Sequence, residues 1–333
     1  IQALAPAKIN LFLHVGAVDA ENYHPLSSLV AFAEVGDLVT MEQADRLSLT
    51  VTGPFGAGLA AEPDNLILRA LRRLGEVTGA GEPPLRVTLD KRLPIAAGLG
   101  GGSSDAGAAL NLARQALSLD VSDEALEAVA GVIGADGPMC LRARTAWAEG
   151  RGEVLTDEPR LPPLPVVLFN PGVPSPTGAV YRAYDAGAVQ NADRPVRPLD
   201  WSTASVIAWL GQQRNDLQPP AIALTPEIGE ALLRMAWRWR GCPDQGRPSS
   251  VCARRRRRRI PPPQPWPMRT RTPGFSPVFW RSSNLQALWP NIGHMGVWRR
   301  VSPSSRLDHH ESFRLFHFLG TVSPVTDWVG QFR

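Results

Sequence analysis

Residues 93–116 read LPIAAGLGGGSSDAGAALNLARQA: a short apolar entry, a glycine cluster at Gly98, Gly100, Gly101 and Gly102, then a strong helix former. At those glycines backbone N–H groups can approach an anion with no Cβ in the way. The helix that follows adds unsatisfied N–H donors and the positive end of its dipole, so phosphate is the ligand this segment suits. No lysine follows the glycines and the spacing is not GxGxxG, so neither a Walker A loop nor a dinucleotide fingerprint is present. A glycine-rich turn can also be a plain connection. The flanking PIAAGL and SSDAGAAL make this one more than that.

Outward from the loop, period-2 alternation predicts strands over 5–15, 27–32, 47–52, 85–89, 143–148 and 165–169. Helical spacing predicts helices over 64–74, 121–133, 177–184 and 204–210, the first capped by Asp64 or Asn65. Strands and helices of both kinds in this order imply an α+β chain of two domains, divided near residue 160. From about Met235 the periodicity stops, and Arg254–Arg259, Pro261–Pro263 and seven of the ten tryptophans follow.

The 333 residues are 44% hydrophobic, enough for a sizeable core. No run of about 18 apolar residues appears and the chain opens directly on a strand pattern, so neither a membrane span nor a secretory signal is expected. A cytoplasmic protein is the expectation. The three cysteines form no CxxC or His-Cys cluster, which argues against a disulfide framework or a structural zinc site, and Cys140 reads as a small buried hydrophobe. The basic pI of about 9.3 is local in origin. Residues 1–235 hold 18 Lys and Arg against 27 Asp and Glu, net −9, whereas residues 236–333 hold 17 against 4, net +13, giving the overall +4. The first 235 residues therefore have no global field for polyanions, and their anion chemistry must be local.

The glycine segment resembles the phosphate-binding motif of the superfamily of galactokinase, homoserine, mevalonate and phosphomevalonate kinases. PAKINLFLHV at 6–15, ENYHPLSSL at 21–29, GADGPMCL and WAEGRGE within 134–153, and PGVPSPTGAVY at 171–181 narrow the resemblance to the 4-diphosphocytidyl-2-C-methyl-D-erythritol kinases. The resemblance implies an N-terminal ATP-binding domain over 1–158 and a C-terminal domain, here partial, over 159–235. It implies ATP and Mg²⁺, a small-molecule acceptor, and no nucleic acid or membrane partner. Asp136 would accept the proton of the acceptor hydroxyl, with Lys8 as the cation beside it; only two lysines, Lys8 and Lys91, stand among 33 arginines. Pro94, Ala97, Gly98, Leu99, Gly100, Gly101, Gly102, Ser103 and Ser104 would form the ATP loop, the serines capping the helix and one of them, Ser104 being the candidate, reaching phosphate or Mg²⁺. Asn65 would lie near the adenine. Asn10, Tyr23, His24, Thr177 and Tyr181 would surround the cytidine diphosphate end, with the tyrosines suited to stacking on a base. Two departures stand out: Glu21-Asn22 where the family has Asp-Gly, and Gly137 where an apolar residue is commoner.

The family's third glycine motif, SGSGxxxF, is missing. After LTPEIGEALLR at 224–234, which fits the family, the chain runs MAWRWRGCPDQGRPSSVCARRRRRR. Back-translated and read from the third base of the Met235 codon, those codons permit GLALARMSGSGSALFGL. Residues 236–333 are therefore expected to be an out-of-frame, disordered tail. Two alternatives compete: another kinase of the superfamily, acting on homoserine or mevalonate, and a nucleic-acid binder acting through Arg254–Arg259.

Overall fold

A computed structural model describes residues 1–59, 64–187, 190–240, 280–281, 315–318 and 321–324. Strands β1 (Gln2–Asn10), β2 (His14–Val15), β3 (Leu26–Gln43), β4 (Ser48–Thr52) and β5 (Leu85–Asp90) build the first half. The antiparallel pairing of β1 and β5 to the two edges of β3, and the parallel pairing of β4 to β5, give the order β4-β5-β3-β1. On β3, Asp37, Val39 and Met41 share one face, as period 2 requires, and the apolar pair meets Leu85, Val87 and Leu89 of β5 in one cluster. Helices α1 (Leu66–Thr78), α2 (Gly101–Ala116), α3 (Asp123–Ile133) and α4 (Gly137–Arg142) follow; α2 lies against β1 and β3, and α1 and α3 pack beside it in the same apolar cluster. The expected spacing holds on α1, where Ile67, Ala70, Leu71 and Leu74 are buried and Asn65 is the cap, its Oδ1 accepting from Ile67 N at 2.9 Å.

Strands β6 (Ala146–Gly150) and β7 (Val154–Asp157) form a hairpin, with β6 on β3; β8 (Val166–Leu168) and helices α5 (Thr177–Asp185), α6 (Thr203–Leu210), α7 (Gln218–Leu224) and α8 (Pro226–Arg240) complete the body. Leu168, Val206 and Leu210 pack in one cluster with Ala7, Ile9, Phe12 and Trp147, so residues on both sides of position 158 share a core. The extended run expected over 27–32 is part of the 18-residue β3, and α4, β7, α7 and the 15-residue α8 are elements the periodicity did not reveal. The first three are short. Of the expected tail, helix α8 reaches Arg240, and three short strands, β9 (Trp280–Arg281), β10 (Leu315–Phe318) and β11 (Thr321–Pro324), pair with β8, with one another and with Asn10 of β1. The remainder, including Arg254–Arg259, lies outside the described residues. No helix among the described residues is long and apolar enough to cross a membrane.

What positions the loop is the crossing of α2 over α4. A Cβ on Gly107 would stand 2.8 Å from Leu141 Cα and 2.9 Å from its N, backbone atoms that cannot swing aside. Gly107→Ala should therefore push α4 from α2 and destabilise the protein by about 1–3 kcal/mol, the usual cost of overpacking. Denaturant titration measures this; an unchanged midpoint would mean that the two helices separate freely.

Candidate active site

Beyond β5 the chain turns through positive φ at Ala96 (53°), Gly98 (67°) and Gly100 (61°) before α2 begins. Leu99 O accepts from Lys8 N at 2.8 Å, which ties the loop to β1. Gly100 is the N-cap, left-handed and without a side-chain hydrogen bond, so no cap side chain claims the first-turn N–H groups of α2. The expected capping by Ser103 and Ser104 does not occur, because both lie inside the helix. Ser104 is fully buried, and its Oγ has no hydrogen-bond partner among the described residues. Ser103 faces the 134–136 turn, its Oγ 4.0 Å from where a Cβ of Gly134 would be. Among the other expected loop residues, Leu99 is buried, Pro94 is half-buried and Ala97 packs against the Phe12 cluster. Asn65, also buried, starts α1 beside the loop, with Leu66 Cδ1 3.0 Å from a Cβ on Gly102.

Lys8 Nζ donates to Asp136 Oδ1 at 2.8 Å across 128 residues. The β1–β3 register shifts between Pro6 and Lys8, an irregularity of the kind that re-aims a side chain. Lys8 thereby lies against the loop, its Cβ 3.0 Å from where a Gly100 Cβ would be. Asp136 precedes α4 as its N-cap but makes no capping bond, which leaves its carboxylate to Lys8. The lysine side chain is 8% exposed and the aspartate 39%, so the pair has one buried and one accessible member.

Of the expected acceptor residues, Asn10 is buried two positions beyond Lys8 and lies 3.4 Å from Ser28 Oγ. Tyr23 is exposed, with the Arg151 guanidinium 4.2 Å from its ring centroid; Arg151 also pairs with Asp19 and Glu21. His24 Nε2 meets Asp185 Oδ1 at 2.6 Å, and its ring lies 4.9 Å from that of Tyr181. Burial, aided by the charge of Asp136, pushes the Tyr181 phenol up to about 12. Thr177 is the exposed first residue of α5. Both departures have structural reasons. Asn22 has φ 61°, a conformation that Asn tolerates best after Gly, and a Cβ on Gly137 would sit 2.0 Å from Ala130 O.

Sequence reasoning misses the most buried charges near the loop. Lys91 Nζ donates to Asp37 Oδ2 at 2.5 Å and to Asp105 Oδ2 at 2.7 Å, and all three residues are at most 3% exposed. The signal was present in Leu85, Val87, Leu89 and Lys91, a lysine at the next inward position of a buried period-2 face. Burial, with the charge of Asp37 added and Lys91 opposing, pushes the Asp105 carboxyl up to about 8. Burial acts to lower Lys91, but the two carboxylates outweigh it and the net direction is upward.

The family of the GHMP kinases N terminal domain matches residues 65–143, which span Asn65, the loop, α2 and Asp136. The fold is thus that of the GHMP small-molecule kinases. A 4-diphosphocytidyl-2-C-methyl-D-erythritol kinase of Caulobacter sp. (strain K31) is 57% identical over 235 residues, covering 70% of this chain and 80% of that protein. The enzyme of that name from Dinoroseobacter shibae is 45% identical over 248 residues, 73% of this chain and 79% of its own. A crystal structure of 4-(cytidine 5'-diphospho)-2C-methyl-D-erythritol kinase superposes with a TM-score of 0.57 at 35% identity, covering 71% of this chain and 82% of that one. The chain belongs to the 4-diphosphocytidyl-2-C-methyl-D-erythritol kinase family.

A methyl group at Gly100 would face Lys8 and Cys140 Sγ (3.3 Å) and would put a left-handed φ on a residue that resists it. At about 1–2 kcal/mol for that conformation, Gly100→Ala should weaken ADP binding roughly 5- to 30-fold with the fold retained. Calorimetric titration measures it, and unchanged affinity would remove the loop from the nucleotide site.

Proposed function

We propose that this protein is an ATP-dependent kinase that phosphorylates the 2-hydroxyl of 4-diphosphocytidyl-2-C-methyl-D-erythritol, a step in isoprenoid precursor biosynthesis, and that it works in the cytoplasm. The observation that carries the reading is the Lys8–Asp136 pair, set against an uncapped glycine loop. The loop and the first turn of α2 hold the ATP phosphates by N–H donors and helix dipole. Asp136 takes the proton of the acceptor hydroxyl as that oxygen bonds to the γ-phosphorus; the bond to the bridging oxygen breaks and ADP leaves. Lys8 keeps Asp136 ionised and offsets negative charge on the attacking oxygen. Tyr23 and Tyr181 flank the cytosine, and His24, held by Asp185, reads its edge; Asn10 and Thr177 line the same end. Asn65 lies by the adenine.

Mg²⁺ belongs to this reading only as the partner of the nucleotide phosphates. Among the described residues no three His, Cys, Asp or Glu side chains could hold a metal ion, so Ser104, whose buried Oγ has no hydrogen-bond partner there, is the chain's one candidate contact to it.

Asp136→Asn and Lys8→Met should each lower turnover by at least ~10²-fold with ATP affinity largely intact, because neither touches the nucleotide phosphates. Coupled-enzyme kinetics in the 333-residue chain, or in the frame-corrected chain described next, measures this; near-normal turnover in Asp136→Asn would end its role as base. Turnover of homoserine or mevalonate without that of the cytidylyl compound would reassign the acceptor.

We further propose that the codons from Met235 onward are read out of frame, because the alternative frame restores the missing SGSGxxxF motif and removes the arginine run. A gene corrected to that frame should yield the more active and more soluble enzyme. Resequencing that returns the same frame, together with equal activity of the two products, would overturn this.

A further inference from the structure

The two lysines of this chain flank the same loop. Gly100 would place a Cβ against Lys8, and Gly101 would place one 3.1 Å from Lys91 Nζ. Lys8 belongs to the catalytic pair, whereas Lys91 is 2% exposed and gives its ammonium to Asp37 and Asp105. Each partner comes from a different element. Asp37 is on the inward face of β3, Lys91 directly follows β5, and Asp105 is on the first turns of α2, one helical turn before buried Ala109. Asp37 Oδ1 also accepts from the N–H groups of Arg92 and Leu93 at 2.5 and 2.7 Å, which secures the chain entering the loop. Asp105 Oδ1, by contrast, is buried without a partner among the described residues.

Burying such a cluster is costly, and mere stability would be served as well by apolar side chains of the same volume. An ammonium held between two carboxylates gives geometric definition instead, because each bond is short and directional. Lysine suits the place: its compact ammonium fits between the two carboxylates, where the wide fork of arginine would not.

We propose that Lys91, clamped by Asp37 and Asp105, is a positioning residue for nucleotide binding, locking both the entry and exit of the glycine loop to the sheet so that its N–H donors stand ready for the phosphates. This rests on the reading of the loop as the ATP site. The cluster does not touch the acceptor end, so its loss weakens nucleotide binding and spares the acceptor subsite.

The test is calorimetric titration of the intact 333-residue chain with MgADP and, separately, with cytidine diphosphate as a probe of the acceptor end. Asp105→Leu, which removes one clamp, should weaken MgADP binding by roughly tenfold or more and leave cytidine diphosphate binding unchanged. Asp105→Asn, which retains an oxygen to accept from Lys91, should restore most of the MgADP affinity. Should Asp105→Leu not fold, Lys91→Arg carries the test, with the same selective loss expected. Unchanged MgADP affinity in these variants overturns the proposal, as does an equal loss for both ligands, the mark of a merely structural role. If the unaltered chain binds cytidine diphosphate but not MgADP, the assignment of the loop to ATP fails and the positioning role falls with it.

Discussion

The uncapped start of α2 is the constraint on which the site depends. A helix that leaves its first-turn N–H groups without a cap has unsatisfied donors, and burying that end without partners would be costly. The chain therefore holds the helix by everything except its cap: Leu99 O bonded to Lys8 N, Gly107 pressed onto Leu141, and Asp105 anchored to Lys91. The donors remain free because other groups carry the mechanical load.

That arrangement also explains how a body of net negative charge can recruit a polyanion. Two ammonium groups lie against the loop, one in a half-accessible ion pair and one fully enclosed. Both are paired with carboxylates, so the attraction that acts at short range, where water screens little, comes from the uncapped N–H groups and the helix dipole and needs no basic surface. Gly137 belongs to the same design. The close approach of Ala130 O leaves no room for a side chain, and this approach sets the start of α4 and so the place of Asp136.

Much of this was legible in the sequence. The glycine cluster, the helical periodicity after it and the alternation in 85–89 all report local backbone requirements, and the structure returns α2, β5 and α1 close to where those patterns put them. The Lys8–Asp136 pairing could be inferred only through family resemblance, because nothing in 128 residues of separation signals contact. The serine caps were misjudged for a related reason: Ser, Thr and Asp are favoured caps in general, but here a left-handed glycine occupies the cap position and pulls both serines one turn inward. The short α4, β7 and α7 have too few turns or alternations to leave a periodic trace.

The sequence by itself determined the local elements and the chemistry available to them: a phosphate-seeking loop, a carboxylate after a glycine turn, and two lysines in a chain that otherwise uses arginine. Tertiary structure decided which of those groups meet. Asp37 on β3, Lys91 just past β5 and Asp105 on α2 converge because the inward faces of β3, β5 and α2 pack together; Asp136 reaches Lys8 because α2 and α4 touch backbone to backbone. Periodicity is a property of neighbours along the chain, whereas a charge cluster depends on distances across the fold, and only the packed fold sets those distances.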